Sequence, residues 1–121
     1  MPPRRTWTFS PHTGGTRIPA ALQEETRRRI LAHAEAHYAG RYRRIDVRFR
    51  GTFCYIDAYL DELRAEVPVH LCRLRYFGGR QLWSVAFYTY SHERYEPTVF
   101  QTGQPFGTPE EGLDIGAIYL E

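Results

Sequence analysis

A chain of 121 residues suffices for one hydrophobic core and falls short of two ordinary domains. With 42% hydrophobic and 25% charged residues, the composition is that of a folded globular protein and excludes a disordered one. Sixteen basic residues against 14 acidic ones leave a formal charge of +2, so bulk charge identifies no polyanionic partner.

Every basic residue is Arg; Lys and Asn are absent. A genome rich in G and C explains this most economically, because Lys and Asn codons are A-rich. The chemistry follows all the same: each cation is a planar guanidinium that forks onto carboxylates or phosphates and stacks on aromatic rings.

Residues 1–17 are rich in Pro, Gly, Ser and Thr and read as an irregular arm ahead of a single domain spanning 18–121. Within the arm, Trp7 and Phe9 are spaced for a short docked strand. The arm carries no signal-like apolar run, and no stretch approaches the ~20 apolar residues of a membrane span. Together with a cysteine count of two, Cys54 and Cys72, this predicts a cytoplasmic protein with reduced thiols and no membrane partner. No metal site and no cofactor are expected from the sequence.

Pro19 suits the first turn of a helix, and residues 20–39 are strong helix formers. Glu24–Arg28 and Glu25–Arg29 have the i,i+4 spacing of an exposed face, opposite a stripe of Leu22, Thr26, Ile30, Ala34 and Tyr38; Gly40 ends the helix. His33 and His37, one turn apart, read as boundary histidines flanking that stripe.

From residue 42 the period changes to two. Five strands are predicted at 42–50, 53–60, 69–77, 82–90 and 95–101, with one helical turn at 61–66. Gly51-Thr52 fits a two-residue hairpin, Gly78-Gly79 a tight turn, and 91–94 a longer one; Pro97 places the fifth strand at an edge. Thr108-Pro-Glu-Glu111 then opens a C-terminal helix with a capping box. The predicted fold is α+β: a five-stranded antiparallel meander with an N-terminal and a C-terminal helix packed on one face.

The hairpin fixes a register in which Arg50 faces Phe53 and Asp46 faces Asp57. One face then carries Ile45, Val47, Phe49, Cys54, Ile56 and Ala58, and parity adds Cys72, Leu74, Trp83, Val85 and Phe87. Unbroken alternation also turns His70 toward this core, while His92 falls in a turn. The opposite face interleaves Arg44, Arg48, Arg50, Arg73 and Arg75 with Phe53, Tyr55, Tyr59, Tyr88 and Tyr90. Such a surface stacks bases and pairs phosphates, docks an acidic protein, or closes a homodimer; a plain solvated sheet face is the alternative.

Asp46 opposite Asp57 is the sharpest local oddity, since like charges across a ladder repel by ~0.2–1 kcal/mol. The expectation is neutralisation by neighbouring arginines, with Arg44, Arg48 and Arg73 best placed; a catalytic acid–base pair is the alternative.

The stretches Arg48-Phe-Arg-Gly-Thr-Phe-Cys-Tyr-Ile-Asp-Ala-Tyr59 and His70-Leu-Cys-Arg-Leu-Arg-Tyr-Phe77, with 83–90 and 106–111, resemble parts of a group of small bacterial proteins. The resemblance implies a bacterial origin and a shared fold. It carries no activity and no site residue. The functional expectation from the residues is a non-catalytic binding domain for nucleic acid or an acidic protein. A compact ribonuclease-like enzyme using Asp46 and Asp57, and a homodimer closed through the same face, are the alternatives.

Overall fold

The computed structural model describes residues 14–60 and 67–121. The expected strand around Trp7 and Phe9 and the helical turn at 61–66 lie outside the described residues.

Helix α1, Ala20–Tyr38, buries Thr26, Ile30 and Ala34, three members of the predicted stripe. Pro19 stands one residue earlier than expected, at the N-cap, where an extended backbone leads into the helix without a side-chain cap. The strands are β1 (Arg44–Arg50), β2 (Phe53–Tyr59), β3 (Val69–Tyr76), β4 (Trp83–Thr89) and β5 (Arg94–Thr98). They form an antiparallel meander in chain order, so β1 and β5 are the edges, and Pro97 lies on one of them. Helix α2, Pro109–Gly116, runs on into a 3₁₀ turn at Ala117–Leu120. Its capping box is complete: the Thr108 side chain accepts from the Glu111 N–H, and the Glu111 carboxylate accepts from the Thr108 N–H.

The β1–β2 register is the one the Gly51-Thr52 hairpin dictates, from Arg50 opposite Phe53 to Arg44 opposite Tyr59. Gly51 holds the positive φ of 60° that the turn demands. Ile45, Val47, Cys54, Ile56, Ala58, Cys72, Leu74, Trp83 and Val85 are buried with Ile30, Ala34, Leu113 and Leu120 in one core. Phe49 and Phe87, also expected there, are only half-buried. The fifth strand begins one residue earlier than predicted, where the chain turns through Glu93 at φ 54°, and ends at Thr98, ahead of a turn in which the Phe100 N–H donates to the Gln104 carbonyl.

One departure from simple alternation shapes the outer face. Ile56 pairs with Cys72, but its neighbour Asp57 pairs with His70, leaving Leu71 as an extra residue in β3. Leu71 and Cys72 are both fully buried, so this bulge spends two consecutive residues on the core. The face expected for His70 is therefore corrected: it emerges on the outer side, beside Asp57.

Helix α2 sits against that bulge. Gly112 and Gly116, one turn apart, face β3 so closely that a Cβ on Gly116 would lie 2.8 Å from backbone atoms of Leu71. A Cβ on Gly112 would overlap the Leu74 side chain. Two glycines thus let the helix axis approach the sheet where β3 is widened.

Candidate functional site

The hairpin register makes Asp46 and Asp57 neighbours, as expected, yet their surroundings differ. The Asp57 side chain is 4% exposed and that of Asp46 34%. Arg48, two residues along β1, lies between them: its guanidinium donates to Asp57 Oδ2 at 3.0 Å and sits 3.6 Å from Asp46 Oδ2. Burial alone would lower the Arg48 pKa; the hydrogen bond and charge of Asp57, with the charge of Asp46, outweigh it and raise it. Neutralisation of the acids by arginine is thus carried by Arg48. Arg44 and Arg73 were expected to share it and do not. Arg44 stacks over Tyr59 at 4.0 Å, and Arg73 over Phe53 and Tyr95 at 4.4 and 5.3 Å.

The second oxygen of Asp57 is taken by His70, whose Nδ1 lies 2.9 Å from Oδ1. An ionised carboxylate only accepts, so Nδ1 is the donor and the imidazole is held by a buried anion. Among the described residues, no hydrogen bond reaches His70 Nε2, and a third of the side chain is exposed. The backbone N–H of His70 donates to the Tyr90 hydroxyl at 2.7 Å.

Aromatic rings surround this pair. The His70 ring is 4.8 Å from Tyr88, which is edge-on to Tyr90 at 4.7 Å and to Tyr95 at 5.0 Å; Tyr95 in turn is 5.7 Å from Tyr55. Burial, followed by the charge of Asp57, pushes the Tyr95 phenol well above its ordinary range, which keeps it a neutral hydroxyl. The row continues along the sheet: Tyr55 meets Phe53 at 5.9 Å and the Arg48 guanidinium at 5.2 Å, and Arg75 lies over Phe53 at 4.6 Å. Arg75 also donates to the Gly14 carbonyl at 2.9 Å. Between these large side chains Ser84 and Ala86, opposite Arg75 and Arg73, are small and buried.

Arg50 lies apart from this row. It is exposed and, with Arg27 of α1 and Arg48, lines a cleft of about 640 Å³ along the β1 edge. Arg27 closes part of that edge by donating to the Val47 carbonyl at 3.1 Å. Tyr55 and Arg48 belong to both cleft and outer face, so the two surfaces are continuous.

The outer face therefore brings together Arg48, Tyr55, Arg73, Tyr88 and Tyr90 near Asp57, with Arg44 and Tyr59 at one end, Arg75 at another and Arg50 at the rim. His33 stands elsewhere, bonded at 2.8 Å to Asp114, which also accepts from the Tyr38 hydroxyl at 2.6 Å. Reading the sequence by strict alternation misses His70 and Tyr95. The signal for the first was the adjacent apolar pair Leu71-Cys72 inside an alternating strand, the mark of a bulge.

No family model, no curated protein and no solved structure matches this chain.

Proposed function

We propose that the outer sheet face binds single-stranded nucleic acid. The observation that supports this most is the guanidinium–ring row, in which Arg44, Arg48, Arg73 and Arg75 lie over Tyr59, Tyr55, Phe53 and Tyr95. A guanidinium resting on a ring by its flat face keeps N–H groups along its rim for phosphate, while the tyrosines between offer faces on which bases stack. A plain solvated face would not need Tyr88, Tyr90 and Tyr95 clustered around one buried carboxylate. The cleft beside Arg27 and Arg50 offers the same backbone a basic continuation. Two buried, unbridged thiols suit a cytoplasmic setting for such a ligand.

The test is fluorescence anisotropy of a labelled mixed-sequence oligoribonucleotide in chelator, across a salt series. Binding is expected to weaken linearly in log salt, by a slope of ~0.7 per phosphate neutralised. Replacing Arg73 and Tyr88 together by Ala removes one phosphate contact and one stacking ring, so affinity should drop at least about tenfold. Absence of binding at low salt, or affinity untouched by that double change, would overturn the reading. A complex with an acidic protein in place of the oligonucleotide, or a concentration-dependent dimer that buries the face, would replace it.

A further inference from the structure

We infer that the face also cleaves the strand it binds, with His70 as general base in a transesterification of RNA; the inference rests on nucleic acid occupying this face. Three observations carry it. The buried carboxylate of Asp57 accepts from His70 Nδ1, which leaves the lone pair on Nε2, the nitrogen free of any hydrogen bond among the described residues. Asp57 is itself pinned by Arg48 on its other oxygen, so the imidazole is oriented by a group that cannot turn away. Third, His70 is set among Tyr88, Tyr90 and Tyr95, where a stacked base would bring its own ribose to the imidazole.

In the step, His70 Nε2 takes the proton of a ribose 2′-hydroxyl as that oxygen attacks the adjacent phosphorus. The bond from phosphorus to the 5′-oxygen of the next nucleotide breaks, and that oxygen takes a proton from water. The products are a 2′,3′-cyclic phosphate and a 5′-hydroxyl, and the imidazolium returns its proton to solvent. Arg48, cationic and one carboxylate away, has N–H groups beyond those turned to the aspartates to meet the charge that builds on the non-bridging phosphate oxygens. Asp57 acts through His70 and is a positioning residue; Asp46, more exposed and, among the described residues, ion-paired only with Arg48 at 3.6 Å, has no part in the chemistry.

The experiment uses the full chain in chelator with an oligodeoxynucleotide carrying one internal ribonucleotide, labelled at its 5′ end. The expected result is a single cut on the 3′ side of that ribose, ending in a cyclic phosphate, and no cut in the all-deoxy strand. His70→Gln should reduce the rate of cleavage by ~10²–10⁴-fold when measured with the protein in saturating excess, so that a change in affinity does not enter. Because the single-ribose comparison is made on the wild-type protein, it tests the transesterification even if the variant folds poorly. Strand binding without cleavage overturns this inference and leaves the binding reading intact; failure to bind removes both. Cleavage that needs added Mg²⁺, cuts at deoxy positions, or survives in His70→Gln also overturns it.

Discussion

Asp57 and His70 share a hydrogen bond across β2 and β3 because β3 has one residue, Leu71, more than its partner needs. In a regular ladder the two would point to opposite faces. The bulge also lets Leu71 and Cys72 enter the core side by side, so a single extra residue serves both the packing and the site.

The position of α2 depends on that arrangement. A methyl on Gly116 would meet the Leu71 backbone at 2.8 Å, and backbone at a bulge has no rotamer by which to yield. A methyl on Gly112 would meet the tip of the Leu74 side chain, which can turn. Gly116→Ala should therefore lose ~1–3 kcal/mol to overpacking, despite the better helix propensity of Ala. Gly112→Ala should lose less. Urea unfolding of both variants checks the order, and an equal or reversed ranking contradicts the close packing of α2 on the bulge.

The two aspartates should respond differently to amidation. Asp46→Asn weakens a long, solvent-exposed ion pair and relieves repulsion, so stability should change by no more than ~0.5 kcal/mol. Asp57→Asn removes the buried charge and leaves one acceptor oxygen where Arg48 and His70 each use one, at a cost of ~1–3 kcal/mol. Thermal unfolding of the pair of variants measures this directly. Equal losses would mean that the carboxylates share one environment.

How much of this was legible beforehand follows from which forces act locally. The Gly51-Thr52 turn is a local constraint, and it carried the whole β1–β2 register and the Asp46–Asp57 juxtaposition. The capping box at Thr108 and the edge position of Pro97 are likewise short-range chemistry. His70 and Tyr95 were not readable by alternation. The first depends on a bulge stabilised by burying Leu71 under α2, and the second on a turn that closes through a positive φ at Glu93. The same holds for Arg44 and Arg73: spacing placed them near the acids, but ring faces from a neighbouring strand took their guanidiniums.

Cys54 and Cys72 provide a test of core rigidity. Both are fully buried, and burial pushes both thiols well above their ordinary range; the charge of Asp57 adds to this at Cys72, while Arg27 and Arg48 oppose it at Cys54 without overcoming it. The reactive thiolate is thus disfavoured twice over, by access and by ionisation. Alkylation of the native protein at neutral pH should proceed only as fast as the sheet opens, and two labels should appear promptly in denaturant without reductant. Fast labelling of the folded chain would show that the core around β2 and β3 opens locally.

The joint between the two helices titrates. Arg29 of α1 donates Nε to Glu110 Oε2 at 2.8 Å and a terminal nitrogen to Oε1 at 2.7 Å, a paired contact at the first turn of α2. Burial alone would raise the Glu110 carboxyl, but the Arg29 hydrogen bonds, a backbone N–H and the charges of Arg29 and His33 outweigh it and hold it below the usual range. A carboxyl lowered in the folded state stabilises the fold above its unfolded pKa, ~4.3 for Glu, and that contribution is lost as pH falls through the folded value. Glu110→Gln should accordingly be less stable than wild type by about 1 kcal/mol near neutrality, a modest figure because the pair is partly exposed. The gap should narrow as pH falls below ~4.3 and close once the wild-type carboxyl is protonated. Urea unfolding of both proteins across this range gives the curve directly, and a gap that stayed constant with pH would show that the pair contributes through packing and not through charge.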